Sequence, residues 1–226
     1  KVYDLLEEKK DKEFYINYLK SFITNDYSFL PRPLPIDLQY LAHDIDISKD
    51  YTTFIDCGAY DGDTLRNLSN KGVILDNVIA FEPQNELHEK LIESINSMKI
   101  KAGIVIPCGV YDDVVTLKFN KNTSSLSSSS ITEEGNEIIQ CTSIDKSIKN
   151  IKPTFIKMDI EGAEINAING AKDTIRKYRP QLAICVYHSL SHIWEIPLLI
   201  HEIDPTYKFY IRNYNYMGIE TVLYAF

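Results

Sequence analysis

The chain has 226 residues, of which 44% are hydrophobic and 25% charged, and its formal net charge is −8. This composition is typical of a globular protein, and the length suits one α/β domain with a small appendage. The acidic balance argues against a nucleic-acid binder, whose affinity for phosphates comes from clustered Lys and Arg.

No apolar run of about 18 residues occurs, so no transmembrane helix is predicted, and no signal-peptide pattern is visible. The cysteines lie in or at the ends of predicted strands without a CxxC pair, and they are Cys57, Cys108, Cys141 and Cys185. We predict reduced core thiols and a cytoplasmic location. Because the chain begins at Lys1 rather than Met, it stays open whether it is part of a longer multidomain protein. Homo-oligomerisation also stays open.

The first 50 residues predict a helical appendage followed by a proline-rich connector. Four apolar residues recur at i, i+3, i+4 and i+7, the spacing of one helix face: Tyr15, Tyr18, Leu19 and Phe22. The LPRPLP segment, residues 30–35, ends any helix because proline lacks a backbone N–H. We therefore predict an appendage over residues 1–50 and a main domain over residues 51–226.

Predicted strands and helices alternate from residue 51 onward. The predicted strands are Thr52–Cys57, Asn77–Phe81, Ile104–Val110, Val114–Phe119, Ile138–Cys141, Pro153–Met158, Gln181–Tyr187, Tyr207–Arg212 and Ile219–Phe226. The predicted helices are Asp63–Lys71, one beginning near Gln84, one placing Ile165, Ile168, Ala171 and Ile175 inward, and one near Ser191–Glu202. This alternation predicts a mostly parallel sheet with helices on both faces, and the last two strands predict an antiparallel hairpin.

A serine-rich segment, Ser124–Ser130, interrupts the pattern. It is low in complexity and has almost no apolar surface to bury. Two interpretations stay open: a mobile surface loop, or a lid that closes over a cofactor or substrate.

The segment KMDIEGAE, Lys157–Glu164, places three acids directly after a buried strand: Asp159, Glu161 and Glu164. Ligands of open α/β sheets bind at the carboxyl ends of the strands. Clustered acids there are unfavourable unless a ligand, partner or reaction uses them. The segment therefore predicts a functional site.

Three motifs together resemble the FkbM-type methyltransferase family: TFIDCGAYDGDT (53–64), VIAFEP (78–83) and FIKMDIEGAE (155–164). The resemblance runs from about Thr52 to the C-terminus. It implies a class I methyltransferase fold, a Rossmann-like three-layer α/β sandwich, with S-adenosylmethionine as methyl donor and S-adenosylhomocysteine as product.

The family further implies an acceptor hydroxyl on a sugar, glycan or natural product, and we expect a role in polysaccharide biosynthesis. N-methylation stays open. The alternative is a non-catalytic cofactor-binding or assembly domain of a larger polysaccharide-biosynthesis protein.

The loop after the first predicted strand suits a cationic cofactor. Gly58 and Gly62 allow a ligand to approach the backbone closely. Asp56, Asp61 and Asp63 would repel a pyrophosphate but suit an ammonium group, which disfavours NAD and FAD. The predicted cofactor-binding residues are Asp56, Gly58, Ala59, Tyr60, Asp61, Gly62, Asp63, Thr64, Glu82, Pro83, Gly109, Val110 and Asp159.

Two further contacts with the cofactor are expected. Glu82, at the end of the second strand, is predicted to accept the ribose hydroxyls. Cys108–Val110 is predicted to flank the adenine. Asp112 or Asp113 is a candidate acceptor for the adenine amino group, with a plain turn as the alternative.

Asp159 is the first candidate for the general base that takes the acceptor proton, with a helix N-cap as the alternative. Glu161 is predicted to be catalytic and Glu164 to contact the acceptor, although the helix dipole alone also explains acids in a first turn. His188 is a candidate base or acceptor ligand, or a structural histidine. Arg212 is predicted to bind an anionic group of the acceptor.

Metal dependence is left open. A Mg²⁺ or Mn²⁺ ion bound by Asp159, Glu161, Glu164 and His188 is one alternative, and zinc on His188 and His192 is another. Neither pattern is specific, and no metal ligand is assigned.

Overall fold

The structure is a computed structural model that describes residues 1–120, 130–131 and 137–226. The chain divides into two compact units, Asp50–Pro180 and a unit formed by Lys1–Lys49 with Gln181–Phe226. The predicted division into domains of residues 1–50 and 51–226 stays a prediction.

The helices are α1 (Val2–Leu5), α2 (Lys9–Thr24), α3 (Asp63–Asn70), α4 (Asn85–Ser97), α5 (Ile144–Ser147), α6 (Glu164–Asn169), α7 (Lys172–Tyr178) and α8 (His192–Ile203). The strands are β1 (Thr53–Cys57), β2 (Asn77–Phe81), β3 (Ala102–Ile106), β4 (Gly109–Val110), β5 (Val115–Asn120), β6 (Ser130–Ile131), β7 (Glu137–Thr142), β8 (Phe155–Met158), β9 (Gln181–Cys185), β10 (Phe209–Asn213) and β11 (Thr221–Ala225). Short 3-10 turns cover Tyr27–Phe29, Ile36–Leu38 and Tyr216–Gly218.

In the unit Asp50–Pro180, four parallel strands lie in the order β3-β2-β1-β8. Their interior is apolar, and Phe54, Ile55 and Phe155 are fully buried, as expected for parallel strands covered on both faces. The register places Cys57 beside both Phe81 and Met158. Cys57, Phe81 and Met158 are the last residues of their strands. The segments that follow them therefore all begin at the same carboxyl-terminal end of the parallel strands.

The predicted strand Ile104–Val110 is in fact two strands in two sheets. β3 ends at Ile106, and β4 begins a second sheet of order β4-β7-β5-β6. Pro107 separates them, and proline cannot donate to a strand ladder. The Cys108 N–H turns back to the Ile106 carbonyl at 2.8 Å, which redirects the chain.

The single helix predicted after β8 is also divided, into α6 and α7. A Cβ atom at Gly170 would lie 2.1 Å from the Tyr111 carbonyl oxygen, so another segment passes directly against the break. The Gly170 carbonyl also accepts the Asp145 N–H at 2.9 Å. The Gly170 carbonyl thus bonds to a residue outside the helices, which is consistent with the break between α6 and α7.

In the other unit, β11 pairs antiparallel with both β9 and β10, so the predicted C-terminal hairpin is present. The buried face of helix α2 is shifted from the predicted one, since its buried residues are Asp11, Phe14, Tyr18 and Ser21. Of the predicted residues, Tyr18 is buried and the other three are half-buried. Two of the four buried residues are polar and were not detectable by apolar periodicity. Asp11 has an ion-pair partner in Arg212, which explains its burial.

The serine-rich prediction at Ser124–Ser130 lies outside the described residues apart from Ser130 in β6. Across the ranges that the structure describes, no helix has the length and apolar character to cross a membrane. None of the four cysteines forms a disulfide with another described residue, and Cys57, Cys141 and Cys185 are buried.

Candidate active site

The ends of β1, β2 and β8 are joined by backbone hydrogen bonds. The N–H groups of Gly58 and Ala59 both donate to the Phe81 carbonyl at 3.0 Å, and the Asp159 N–H donates to the Cys57 carbonyl at 3.1 Å. The structure thus brings together the three strand-end segments that the sequence singled out.

Glycine is required at position 58 because the backbone of Asp159 lies very close to it. The φ of Gly58 is +77°, and a Cβ atom there would lie 2.0 Å from the carbonyl oxygen of Asp159. Gly62 has a φ of +86°, and its Cβ would lie 2.7 Å from the Ser94 hydroxyl. Tyr60, between them, adopts a left-handed φ of +49° without being glycine. Backbone strain of this kind concentrates at functional sites.

Glu82 is only 4% exposed and holds this loop in place. Its carboxylate oxygens accept the backbone N–H groups of Tyr60 and Gln84, each at 2.9 Å. Burial raises the pKa of Glu82, and these two hydrogen bonds oppose the rise. Each oxygen retains a second lone pair, so the carboxylate is able to accept a ligand hydroxyl while it orients the loop.

Asp56 is fully buried and pairs with Lys157, which is not among the site residues predicted from the sequence. The Lys157 Nζ lies 3.0 Å from Asp56 Oδ1 and donates to the Gly58 carbonyl at 2.6 Å. Asp56 Oδ2 has no hydrogen-bond partner among the residues described. Burial raises the pKa of Asp56 to about 6; Lys157 opposes the rise, and Asp63 and Asp159 add to it. A lysine in a strand predicted to be buried on both faces is the sequence signal that was overlooked.

The other two loop acids differ from Asp56. Asp61 pairs with Arg66 at 2.7 Å, and the same guanidinium donates to the Asp61 carbonyl at 2.6 Å. Asp63 is exposed and accepts the N–H of Thr64 at 2.8 Å. The three predicted carboxylates therefore have different surroundings: one is a buried acid, one belongs to a surface ion pair and one is an exposed residue at a helix start. Their contacts with the cofactor stay predictions.

Two acidic residues, Glu161 and Glu164, shape the backbone of the turn after β8. Glu161 and Gly162 are both left-handed, with φ values of +56° and +99°. Glu164 is fully buried, and its Oε1 accepts the Ile160 N–H at 3.0 Å. This bond gives Glu164 a structural role, while its predicted contact with the acceptor stays a prediction. Asp159 is half-buried at the start of this turn.

The predicted adenine residues are Cys108, which precedes β4, the two residues of β4, and Asp112 or Asp113 after it. A Cβ atom at Gly109 would lie 2.9 Å from Cys141 Sγ, so close packing against β7 explains this glycine without a ligand. Asp112 accepts from the Asn166 amide at 3.4 Å, and Asp113 pairs with Lys146. The adenine contacts remain predictions.

His188 and Arg212 belong to the unit that contains the chain's two ends. The His188 ring lies 4.2 Å from that of Tyr187, and α8 begins after it at His192. Arg212 is 4% exposed, and its guanidinium pairs with Glu8 at 2.7 Å, Asp44 at 2.8 Å, and Asp11. Three carboxylates thus bind this side chain, and its predicted role in acceptor binding stays a prediction.

The structure offers no metal site over the residues it describes, since no group of three or more His, Cys, Asp or Glu side chains there is arranged to hold an ion.

The Arg212 cluster predicts a specific dependence of stability on pH. Burial disfavours the Asp44 carboxylate, but hydrogen bonds from Lys10 and Arg212 outweigh it and lower its pKa to about 2. A folded-state pKa below the unfolded value stabilises the protein above pH ~4, and this contribution is lost as the pH falls towards 2. We expect Asp44→Asn to lower the free energy of unfolding by about 2 kcal/mol at pH 7 and by progressively less below pH ~4.

Urea unfolding of both proteins from pH 7 to pH 2 measures this difference. Asp173→Asn, which changes a carboxylate whose side chain is 86% exposed, is the control and should show no such trend. An Asp44→Asn difference that stays constant across the pH range would contradict the assignment.

Comparison with known proteins adds two findings. Residues 56–216 match the family model described as "Methyltransferase FkbM domain". A comparison with curated proteins gave no match.

Among solved structures, the chain is similar to methyltransferase FkbM from Methylobacillus flagellatus KT, with a TM-score of 0.82 at 22% identity. That similarity covers 100% of this chain and 57% of the other, so this chain spans little more than half of that protein. It is also similar to an rRNA methylase from Streptococcus thermophilus, with a TM-score of 0.48 at 13% identity over 86% of this chain and 95% of that one. The first likeness shows a shared fold and confirms the predicted Rossmann-like α/β class.

Proposed function

Because the chain belongs to the FkbM family of S-adenosylmethionine-dependent methyltransferases, we propose that it methylates a hydroxyl group of a sugar, glycan or natural product. The observation that carries the proposal is that the carboxyl ends of β1, β2 and β8 are joined by hydrogen bonds, which brings Gly58, Glu82 and Asp159 close together. Polysaccharide decoration is the role that we infer for the reaction.

The buried acids at these strand ends suit the proposed cofactor. S-adenosylmethionine carries an ammonium group and a sulfonium, and both are positive. Asp56 is fully buried with a free Oδ2, and Glu82 is nearly buried with spare lone pairs. A low local dielectric strengthens attraction between such carboxylates and a cation. We assign Asp56 to the charged part of the cofactor and Glu82 to its ribose hydroxyls.

Asp159 is the residue that we propose as the general base. When bound, the cofactor supplies a methyl carbon that leaves sulfur as a C–O bond forms to the acceptor. Asp159 takes the proton of the acceptor hydroxyl, which makes the oxygen a better nucleophile. We infer that Glu164 helps to position Asp159, because its carboxylate accepts the N–H of the neighbouring Ile160. His188 and Glu161 stay candidates for further contacts with the acceptor.

The test is titration calorimetry with S-adenosylmethionine and S-adenosylhomocysteine, followed by a screen of candidate glycans with methyl-labelled cofactor. We expect binding of both compounds and transfer of label to at least one hydroxyl-bearing acceptor. Titration with NAD is the control, and we expect no binding. Cofactor binding without transfer to any acceptor would favour a non-catalytic binding domain, and absence of cofactor binding would overturn the proposal.

A further inference from the structure

A charged lysine lies inside the parallel sheet, directly beneath the proposed cofactor loop. Lys157 occupies β8, where every residue is buried, and it is 2% exposed. An apolar side chain is the usual occupant of such a position. Replacing a buried ion pair with apolar residues is often neutral or stabilising, so packing alone does not account for this lysine.

The lysine contacts two separate parts of the cofactor site. Asp56 and Lys157 are direct neighbours in the register of β1 and β8. The ammonium group pairs with Asp56 Oδ1 at 3.0 Å and donates to the Gly58 carbonyl at 2.6 Å. Its bond to Gly58 orients the residue at which an added Cβ atom would lie 2.0 Å from the Asp159 carbonyl oxygen. One side chain therefore links the buried acid to the glycine turn.

We propose that Lys157 is a positioning residue for the cofactor: its ammonium group keeps the Asp56 carboxylate ionised and holds the Gly58 carbonyl in the orientation that the cofactor loop requires. The inference rests on the function proposed above and extends it to a residue that need not touch the cofactor. Asp56 Oδ2 is a buried atom with no hydrogen-bond partner among the residues that the structure describes, and we take it as the atom that faces the charged part of the cofactor.

The surroundings of Asp56 make its charge depend on this lysine. The charged groups that act on it are Lys157 on β8, Asp63 at the start of α3, and Asp159 after β8. Two of the three are acidic and disfavour ionisation. The pKa of Asp56 is raised to about 6 even with the ammonium present. Without it, burial and the two acids would leave Asp56 protonated at neutral pH, and a neutral acid attracts an ammonium group weakly.

The test compares Lys157→Met with Lys101→Met, which removes a 74% exposed lysine that pairs with Asp76. S-adenosylhomocysteine binding is measured by calorimetry from pH 5 to pH 9, after circular dichroism has verified folding. We expect Lys157→Met to weaken binding at least about tenfold at pH 7 and to move the midpoint of the pH dependence upward by about one unit or more. The control should match the wild type in both respects.

A folded Lys157→Met protein with wild-type affinity and pH profile would overturn the proposal, since a purely structural lysine would affect only stability. If Lys157→Met does not fold, the double variant with Asp56→Asn removes both charges together. We expect the double variant to bind S-adenosylhomocysteine weakly, with an affinity that no longer changes with pH as it does in the wild type. A pH dependence like that of the wild type would also overturn the proposal.

A direct readout separates this inference from the proposed function. Carboxyl ¹³C NMR titration follows Asp56 in the wild type and in Lys157→Met without any ligand. We expect its midpoint to rise in the variant by about one unit or more. An unchanged midpoint would refute the role of Lys157 even if the protein binds the cofactor, whereas a shifted midpoint without cofactor binding would refute only the proposed function.

Discussion

Gly58→Ala is expected to destabilise the protein by about 3 kcal/mol or more and to abolish cofactor binding. The added Cβ would lie 2.0 Å from the Asp159 carbonyl oxygen, a backbone atom that cannot move without shifting the β8 turn. The residue would also keep a left-handed φ of +77°, which is unfavourable for alanine. Urea unfolding and S-adenosylhomocysteine calorimetry measure the two effects.

Gly72→Ala is the matched control for this substitution. Its φ is +81°, nearly that of Gly58, but a Cβ atom there would meet nothing within 4 Å. We expect it to cost only the backbone strain, about 1–2 kcal/mol, and to leave cofactor affinity unchanged. Equal destabilisation by the two substitutions would show that the close approach of Gly58 and Asp159 is not what requires glycine.

Asp159→Asn is expected to reduce methyl transfer by about 10²- to 10⁴-fold, the usual contribution of a positioned general base. Asn has nearly the same shape but cannot take a proton, and the Asp159 backbone bond to Cys57 does not depend on the side chain. Because Asn also keeps one side-chain oxygen that accepts hydrogen bonds, cofactor affinity should fall far less than turnover. Single-turnover transfer of a labelled methyl group, together with calorimetry, measures both quantities.

Asp173→Asn again serves as the control, because its carboxylate is exposed and we assign it no part in the reaction. His188→Ala, assayed in parallel, tests the second candidate for an acid–base role and should also reduce turnover without weakening cofactor binding. Unchanged turnover in both Asp159→Asn and His188→Ala would exclude the two residues as catalytic groups.

The sequence predicted the strands that carry the site well, because parallel strands buried on both faces leave a strong apolar signal. The bounds of β2 were predicted as Asn77–Phe81, and the acids after β1 and β8 were located in advance. The errors arose where one residue broke an element. Pro107 divided a predicted strand and Gly170 a predicted helix, since hydrophobic periodicity continued across both.

The roles of individual charges were much harder to predict. Asp61, predicted to bind the cofactor, pairs with Arg66, and Arg212, predicted to bind the acceptor, pairs with Glu8, Asp11 and Asp44. Both ligand contacts stay predictions, and the sequence indicated neither ion pair. A charged side chain takes its role from whichever partner the fold places beside it. Those partners are spread along the chain, and spacing in the sequence does not reveal them.

The sequence by itself determined the family, the fold class and the position of the strand-end motifs, because these follow from local apolar patterns and short contiguous segments. Only the tertiary structure decided that Asp56 pairs with Lys157. This contact depends on β1 and β8 lying side by side in one register, although they are far apart in the chain. Because Asp56 is buried, its ionisation depends on this pair: a carboxylate removed from water stays charged only if the fold supplies a cation next to it.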